Sequence, residues 1–254
     1  MSLAIDLSGR VAFVSGGSSG IGAATVRTLH AAGASVFFTY LRHEQRAQSL
    51  AQELGSRVAY IRCDTAVAEA LPDIIAACVR AFGRLDILVN NAAGFAENPF
   101  AGDDYAAWQA GWRKTFDSNL FGAANLAWLA MRQMRKQGDG GRIINVTSRA
   151  AHRGELTFAD YGASKAALGN FTKSIARACA HEGITALAVA PGWIDTDMAA
   201  DDLRARRAAI EAEIPLGYVA QPEEVASIIA FAASPLATYA NGATIDVNGA
   251  SYVR

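Results

Sequence analysis

The chain has 254 residues, 52% of them hydrophobic, and a formal charge of −1 from 23 basic and 24 acidic residues. This length suits one large α/β domain with a sizeable core, and we expect residues 1–254 to form a single domain. Because the charges are evenly mixed, the composition argues against both a nucleic-acid-binding protein and a polybasic membrane-surface protein.

The sequence also bears on where the protein is located and on whether it has disulfides or a metal site. The segment Met1–Asp6 lacks the basic region and apolar core of a signal peptide. No run of about eighteen apolar residues is present to span a membrane. Cys63, Cys78 and Cys179 form no Cys-x-x-Cys pair, and the four histidines show no metal-ligand spacing. We therefore expect a cytoplasmic protein with free thiols and no catalytic metal.

The first predicted elements are a strand, a glycine-rich turn and a helix. Residues 10–14 form a short apolar run, the turn places glycines at Gly16, Gly20 and Gly22, and residues 23–32 have a helical pattern. This layout brings a pyrophosphate against backbone N–H groups at a helix N-terminus. The glycine spacing differs from the usual G-x-G-x-x-G fingerprint, so a tight turn without a ligand is the alternative.

Short β-type runs then alternate with helical patterns along the chain. Such alternation predicts right-handed βαβ units, a parallel sheet and helices on both of its faces. Two less regular stretches are candidates for the substrate cleft: residues 95–111 as a wall, and the substrate loop at about 195–215 as a lid beyond a strand's carboxyl end. The predicted strands lie near residues 10–14, 35–40, 57–62, 86–89, 142–147, 184–189 and 243–247.

Three side chains in the middle of the chain suggest carbonyl chemistry. Tyr161 and Lys165 are spaced i and i+4 in a stretch that can be helical, so they share one helix face. The ammonium would favour the ionised form of the phenol and let it act as an acid or base near neutrality. Ser148 ends an apolar run that is typical of a buried strand. A packed tyrosine beside a solvated lysine is the alternative interpretation.

Together with the glycine turn, these residues resemble the short-chain dehydrogenase/reductase family. The resemblance continues in order along almost the whole chain, with departures at Ala93 and Ala250, where the family usually has glycine. It implies a single Rossmann-like, doubly wound α/β domain with a seven-stranded parallel sheet. The further matching segments are Asp64, Val89–Gly94, Asn119–Gly122, Pro191–Thr196 and Asn241–Gly249.

The resemblance implies an NAD(P)(H)-dependent oxidoreductase that interconverts a ketone and a secondary alcohol. Tyr161 would exchange a proton with the substrate oxygen, and Ser148 would hydrogen-bond the same oxygen. Lys165 would contact the nicotinamide ribose, and Asn119 would hold a water linked to Lys165. The implied cofactor contacts are Gly16, Ser18, Ser19, Gly20, Ile21, Gly22, Tyr40, Arg42, Asp64, Asn91, Ala92, Tyr161, Lys165, Pro191, Gly192, Ile194 and Thr196.

The choice between the two dinucleotides depends on the end of the second strand. Enzymes that prefer NAD carry an acidic residue there, which accepts from the ribose 2′-hydroxyl. This chain has Tyr40 at that position, followed by Arg42, His43 and Arg46, with Glu44 as the only carboxylate close by. We therefore predict NADP(H) as the preferred cofactor, with NAD(H) as the alternative.

Within the family, the chain most resembles 3-oxoacyl-[acyl-carrier-protein] reductases, so a 3-oxoacyl thioester is the first predicted substrate. A sugar or polyol dehydrogenase, or a general ketone reductase, is the alternative. A non-catalytic dinucleotide-sensing regulator is disfavoured, because all four catalytic side chains are present. Arg132 and Arg177 match positions that dock an acyl carrier protein in such reductases, which makes this protein a candidate partner.

Two helical segments, residues 105–135 and 161–181, carry more small and apolar residues than packing against one sheet requires. Family members commonly pair these helices across a two-fold axis. The resemblance therefore implies a homotetramer with D₂ symmetry.

Overall fold

The computed structural model of the protein describes residues 4–254. Its strands are β1 (Val11–Val14), β2 (Ser35–Tyr40), β3 (Val58–Arg62), β4 (Ile87–Asn90), β5 (Gly141–Val146), β6 (Ile184–Pro191) and β7 (Thr244–Val247). They form a seven-stranded parallel sheet in the order β3-β2-β1-β4-β5-β6-β7. The predicted doubly wound α/β fold is confirmed.

Helices cover both faces of the sheet because successive strand residues point to opposite sides. The helices are α1 (Gly20–Ala31), α2 (Glu44–Leu54), α3 (Leu71–Phe82), α4 (Tyr105–Phe116), α5 (Gly122–Gln137), α6 (Ala150–Arg153), α7 (Ala159–Cys179), α8 (Ala200–Ala212) and α9 (Pro222–Ala233). In β1, Ala12 and Val14 face the core beneath α1, α2 and α9, whereas Val11 and Phe13 face the core beneath α3, α5 and α7.

The strand order reverses direction between β1 and β4. Val14 pairs with Phe38 of β2 on one side and with Val89 of β4 on the other. In open parallel sheets, ligands bind in the crevice that this reversal opens at the carboxyl ends of the strands. The fold therefore directs the glycine turn after β1 and the segments after β4, β5 and β6 to one edge of the sheet.

The predicted helical segment at residues 105–135 is interrupted. A π-helical turn, Asp117–Phe121, separates α4 from α5. A π turn contains one residue more than an α turn and is often found at functional sites. Here it carries Asn119, which is 1% exposed.

The substrate loop predicted at about 195–215 is mostly helical. It contains a short 3₁₀ turn, Asp197–Ala199, and then α8. Ala199, Leu203, Ile210, Ile214 and Val219 form a small hydrophobic cluster of their own, against which Trp193 packs. The segment is thus a compact unit at the mouth of the crevice. Within residues 4–254, no helix has the length and apolar content needed to cross a membrane.

Candidate active site

The glycine turn between β1 and α1 is tied to the neighbouring strands by side chains. The Asn91 carboxamide donates to the main-chain oxygens of Ser15 and Gly16, each at 3.0 Å. The Ser15 hydroxyl in turn accepts from the backbone N–H groups of Asn91 and Ala92, also at 3.0 Å. Thr39 accepts from the N–H of Gly16 at 3.1 Å. These contacts fix the turn before any ligand binds.

Close packing leaves room only for glycine at Gly17, within this turn, and at Gly22, in the first turn of α1. A Cβ atom on Gly22 would lie 2.0 Å from the carbonyl oxygen of Gly16, and one on Gly17 would lie 2.6 Å from Cβ of Phe38. Ser19, at the start of α1, makes no side-chain capping bond. The first N–H groups of α1 therefore face an open cradle of the kind that binds a pyrophosphate.

The structure brings Ser148, Tyr161 and Lys165 together at one cavity of about 250 Å³. Ser148 lies two residues beyond β5, and the other two side chains project from the first turns of α7. The glycine turn and the segment after β6 line the same cavity. Predicted cofactor contacts that line it are Ser19, Gly20, Ile21, Asn91, Pro191, Gly192, Ile194 and Thr196.

Lys165 is buried to an unusual degree for a lysine. It is 2% exposed, and its Nζ donates to the carbonyl oxygen of Val146 at 2.8 Å. Nζ also lies 5.7 Å from the centroid of the Tyr161 ring. Burial lowers the pKa of Lys165 from its ordinary 10.5 to about 8, because desolvation disfavours the charged form.

The predicted lowering of the Tyr161 pKa is wrong for the protein alone. Burial raises the pKa of Tyr161 above its ordinary value of 10, and the neighbouring Ser148 hydroxyl only opposes this rise. Desolvation of the phenolate therefore outweighs the favourable interactions that the i, i+4 spacing suggested. At neutral pH Tyr161 keeps its proton, which suits a proton donor.

Asn119 is held by contacts to Gly94 and to Ser164. Its Oδ1 accepts from the N–H of Gly94 at 2.6 Å, and its Nδ2 donates to the Gly94 carbonyl oxygen at 3.0 Å. Nδ2 also lies 3.2 Å from the Ser164 hydroxyl. The carboxamide therefore joins the turn after β4 to α7. Its predicted role in holding a water stays a prediction.

The predicted contacts to the nucleotide end are more dispersed. Tyr40 is 6% exposed, and its ring packs 5.9 Å from that of Tyr60. Arg42 is exposed, and Asp64 accepts from the N–H of Ala66 at 3.0 Å. Ser18 lines a second cavity beside the turn. Arg42 therefore places a positive charge on the surface at the carboxyl end of β2.

Comparison with known proteins agrees with this geometry. The family model described as "Enoyl-(Acyl carrier protein) reductase" matches residues 16–250. A 3-oxoacyl-[acyl-carrier-protein] reductase from Vibrio cholerae serotype O1 is 37% identical over 98% of this chain and 100% of its own. The chain belongs to the short-chain dehydrogenase/reductase family. As a short-chain dehydrogenase/reductase, it is an oxidoreductase that uses a nicotinamide dinucleotide.

Two further relatives of this short-chain dehydrogenase/reductase show the breadth of the family. A cis-4-hydroxycyclohexanecarboxylate dehydrogenase from Sinomonas cyclohexanicum is 38% identical over 94% of this chain and 95% of its own. A solved structure from Brucella melitensis, described as a glucose/ribitol dehydrogenase of the family, has a TM-score of 0.92 and 31% identity. The match covers 99% of this chain and 100% of that chain.

Sequence reasoning missed several residues of this dehydrogenase/reductase cavity. Arg149 and Trp193 line it together with Ser148 and Tyr161. Phe95 stacks on Phe158 with centroids 4.1 Å apart and meets the Tyr161 ring edge-on at 5.1 Å. The prediction that residues 95–111 shape the cleft anticipated Phe95 only as part of a range. For Arg149, the position directly after Ser148 is the only feature of the sequence that could have suggested a place in the cavity.

The buried lysine of this dehydrogenase/reductase should reduce the stability of the folded protein. Between about pH 8 and 10.5 the unfolded chain binds the Lys165 proton and the native protein does not, so the free energy of unfolding rises with pH across that window. At pH 7 we expect Lys165→Met to be more stable than the wild type by on the order of 1–3 kcal/mol.

Urea unfolding at several pH values from 7 to 10 measures this difference. The advantage of Lys165→Met should shrink as the pH rises, and Lys114→Met, at an exposed position of α4, is the matched control. A stability difference that stays constant with pH would contradict the lowered pKa of Lys165.

Proposed function

We propose that the enzyme reduces the keto group of a 3-oxoacyl thioester to a hydroxyl, with NADP(H) as its preferred cofactor. The observation that carries the proposal is the pair of hydroxyl groups, Ser148 and Tyr161, at one cavity with the cradle of the glycine turn. The relative from Vibrio cholerae, which matches over its full length, is named for this reaction.

The residues present fit a dinucleotide. The glycine cradle would hold the pyrophosphate, because its N–H groups face an open space that a Cβ at Gly22 or Gly17 would disrupt. Lys165 and Asn91 would hold the nicotinamide end, since both line the cavity on the side of the turn. When bound, the cofactor supplies the hydride that reduces the carbonyl carbon.

The proton comes from this chain. As the carbonyl oxygen gains negative charge, Ser148 and Tyr161 would both donate hydrogen bonds to it, which stabilises the transition state more than the ground state. Tyr161 would then transfer its proton to the oxygen. Burial raises the pKa of Tyr161, so the phenol is protonated at neutral pH, as a proton donor must be.

An acyl carrier protein is the proposed bearer of the substrate, although the docking surface is only weakly basic. Arg132 lies over the exposed ring of Trp128, 4.9 Å from its centroid, and Arg177 is exposed on α7. Arg135, also on α5, pairs with Glu182. Because this pairing removes positive charge from the surface, we propose modest discrimination between carrier-bound and small thioesters.

The test of this function is kcat/KM for a 3-oxoacyl carrier protein and for its short thioester analogue, at low and high salt. Turnover of both substrates with a small carrier preference is the expected result. A large carrier preference that disappears with salt and with Arg132→Glu or Arg177→Glu would show a dedicated docking surface. Failure to reduce either thioester would contradict the proposal and favour a general ketone or a sugar.

A ketone that carries a carboxylate is the second candidate substrate. The relative from Sinomonas cyclohexanicum is named for a hydroxy acid. In this chain a buried guanidinium, that of Arg149, lines the same cavity as Tyr161.

Cofactor preference is expected to depend on Arg42. The exposed guanidinium at the end of β2 would pair with a 2′-phosphate, so Arg42→Ala should lower kcat/KM with NADPH by roughly 10-fold or more and affect NADH little. Steady-state kinetics with both cofactors measures this. Arg80→Ala, at an exposed position on α3, is the matched control, and a clear NADH preference in the wild type would contradict the assignment.

We also propose a homotetramer that pairs α5 and α7 across two-fold axes. Phe121 and Trp128 expose about half of their surface beside the small residues of α5, at 54% and 53%. Association would cover these aromatic rings, which are costly to leave in water. Light scattering should give about four times the 26.7 kDa chain mass. Trp128→Glu should favour smaller species, and a wild-type monomer at working concentration would refute the assembly.

A further inference from the structure

Arg149 is a charged side chain buried at the substrate cavity, and its guanidinium has no salt-bridge partner within residues 4–254. It follows Ser148 directly, is 6% exposed, and lines the cavity with Tyr161. Its Nη1 atom is buried and has no hydrogen-bond partner among residues 4–254. Buried charges in folded proteins are normally paired, because the loss of hydration of an unpaired charge is strongly unfavourable.

The charged groups around Arg149 do not provide that partner. Glu155 and Glu213 raise the pKa of the Arg149 guanidinium, whereas Arg153 and Arg206 lower it. Glu155 pairs with Arg153 at 3.5 Å, and Glu213 is exposed to water. Burial is the largest effect, and it lowers the pKa of Arg149. The charge of this guanidinium is therefore only partly compensated within the protein.

Trp193 supplies a second donor at the same place. Its Nε1 is buried without a partner among the described residues, and Trp193 is one of the residues that line the cavity. The guanidinium of Arg149 lies 5.6 Å from the ring centroid, and that of Arg206 lies 5.5 Å away. Arg206 is engaged with Asp202 at 2.8 Å. Since an indole only donates hydrogen bonds, both Arg149 and Trp193 require an acceptor.

We propose that Arg149 and Trp193 form a subsite for a carboxylate of the substrate. The enzyme's preferred ketone is then an oxo acid with a free carboxylate, such as a 3-oxoacyl thioester whose chain ends in one. This inference rests on the proposed function and narrows its substrate class. The guanidinium matches a planar carboxylate in shape and charge.

The remaining walls of the cavity favour a single negative charge. Phe95, Phe158 and Met198 are apolar, so the body of the substrate packs against them. Glu155 also lines the cavity, and its carboxylate would repel a doubly charged phosphate. A carboxylate balances Arg149 without adding a second charge near Glu155.

The subsite is tested with a matched pair of substrates. One is an N-acetylcysteamine 3-oxoacyl thioester whose chain ends in a carboxylate, and the other is the same compound as its methyl ester. In the wild type, kcat/KM should favour the acid by roughly 10–100-fold, as expected for a charge-assisted hydrogen-bonded pair. Arg149→Met should remove this preference, mainly through KM, and Arg149→Lys should restore part of it.

Arg204→Met is the control for the general loss of a positive charge, because Arg204 is 78% exposed and pairs with Asp201. It should retain the wild-type ratio of acid to ester. Trp193→Phe keeps an aromatic ring, although a smaller one, and removes the N–H. It should lower the ratio by a smaller factor than Arg149→Met. Circular dichroism of each variant confirms that it is folded.

The outcomes separate the subsite from the proposed function. Equal kcat/KM for acid and ester in the wild type, or an equal loss on both in Arg149→Met, would overturn the subsite even if thioesters are reduced. If neither thioester is reduced, 4-oxocyclohexanecarboxylate and its methyl ester replace them. An Arg149-dependent preference for that acid would support the subsite while refuting thioester reduction, and its absence would overturn both.

Discussion

Replacing Tyr161 with phenylalanine is expected to lower turnover by at least ~10²-fold, the usual effect of losing a general acid. The substitution removes only the hydroxyl. The ring keeps its edge-on contact with Phe95 at 5.1 Å and its place 5.7 Å from Nζ of Lys165. The loss should therefore appear in kcat while the melting temperature and the dinucleotide dissociation constant change little.

Lys165→Ala provides the contrasting variant, because one side chain is proposed both to hold the cofactor and to support the tyrosine. It should weaken turnover and dinucleotide binding together, as measured by steady-state kinetics and fluorescence titration. Near-normal turnover of Tyr161→Phe on a substrate that the wild type reduces well would rule out Tyr161 as the proton donor.

Gly22→Ala is expected to abolish useful dinucleotide binding and to destabilise the fold. The added Cβ would lie 2.0 Å from the carbonyl oxygen of Gly16 and 2.7 Å from Nδ2 of Asn91. Because one of these neighbours is backbone, the turn itself must move to make room. Overpacking of this kind costs about 1–3 kcal/mol, and the displaced N–H groups no longer converge on a phosphate.

Thermal unfolding and titration with the dinucleotide measure the two effects of Gly22→Ala. Gly102→Ala is the matched control, since its Cβ would meet nothing within 4 Å, and its stability should stay within about 0.5 kcal/mol of the wild type. Wild-type affinity for the dinucleotide in Gly22→Ala would show that the close approach of α1 to the turn is not needed for binding.

Much of the fold could be predicted from the sequence because its signals are local. Apolar runs of four to eight residues, separated by helical periods, predicted each strand to within about two residues of its observed bounds. The i, i+4 spacing predicted that Tyr161 and Lys165 share a helix face, whereas the placement of Ser148 beside them followed from the resemblance to the family.

Features that depend on tertiary packing could not be predicted. A π turn has no compositional signal, so residues 105–135 were expected to be helical without the interruption at Asp117–Phe121. The burial of Tyr40 against Tyr60 depends on the position of β3. Likewise, Arg46 pairs with Asp197, which is distant in sequence. Whether the Nη1 atom of Arg149 finds a partner among the described residues depends on which side chains pack around it.

The strand order also determines how the sheet can assemble as the chain leaves the ribosome. With β1 as the first strand, β2 and then β3 add to one of its edges. β4 then adds to the opposite edge, beside β1, and each of β5, β6 and β7 adds beside its immediate predecessor. A nascent chain can therefore extend its sheet one strand at a time without opening pairs already made. At each stage the growing edge is exposed until the next strand emerges, which makes translation speed between β4 and β7 relevant to aggregation.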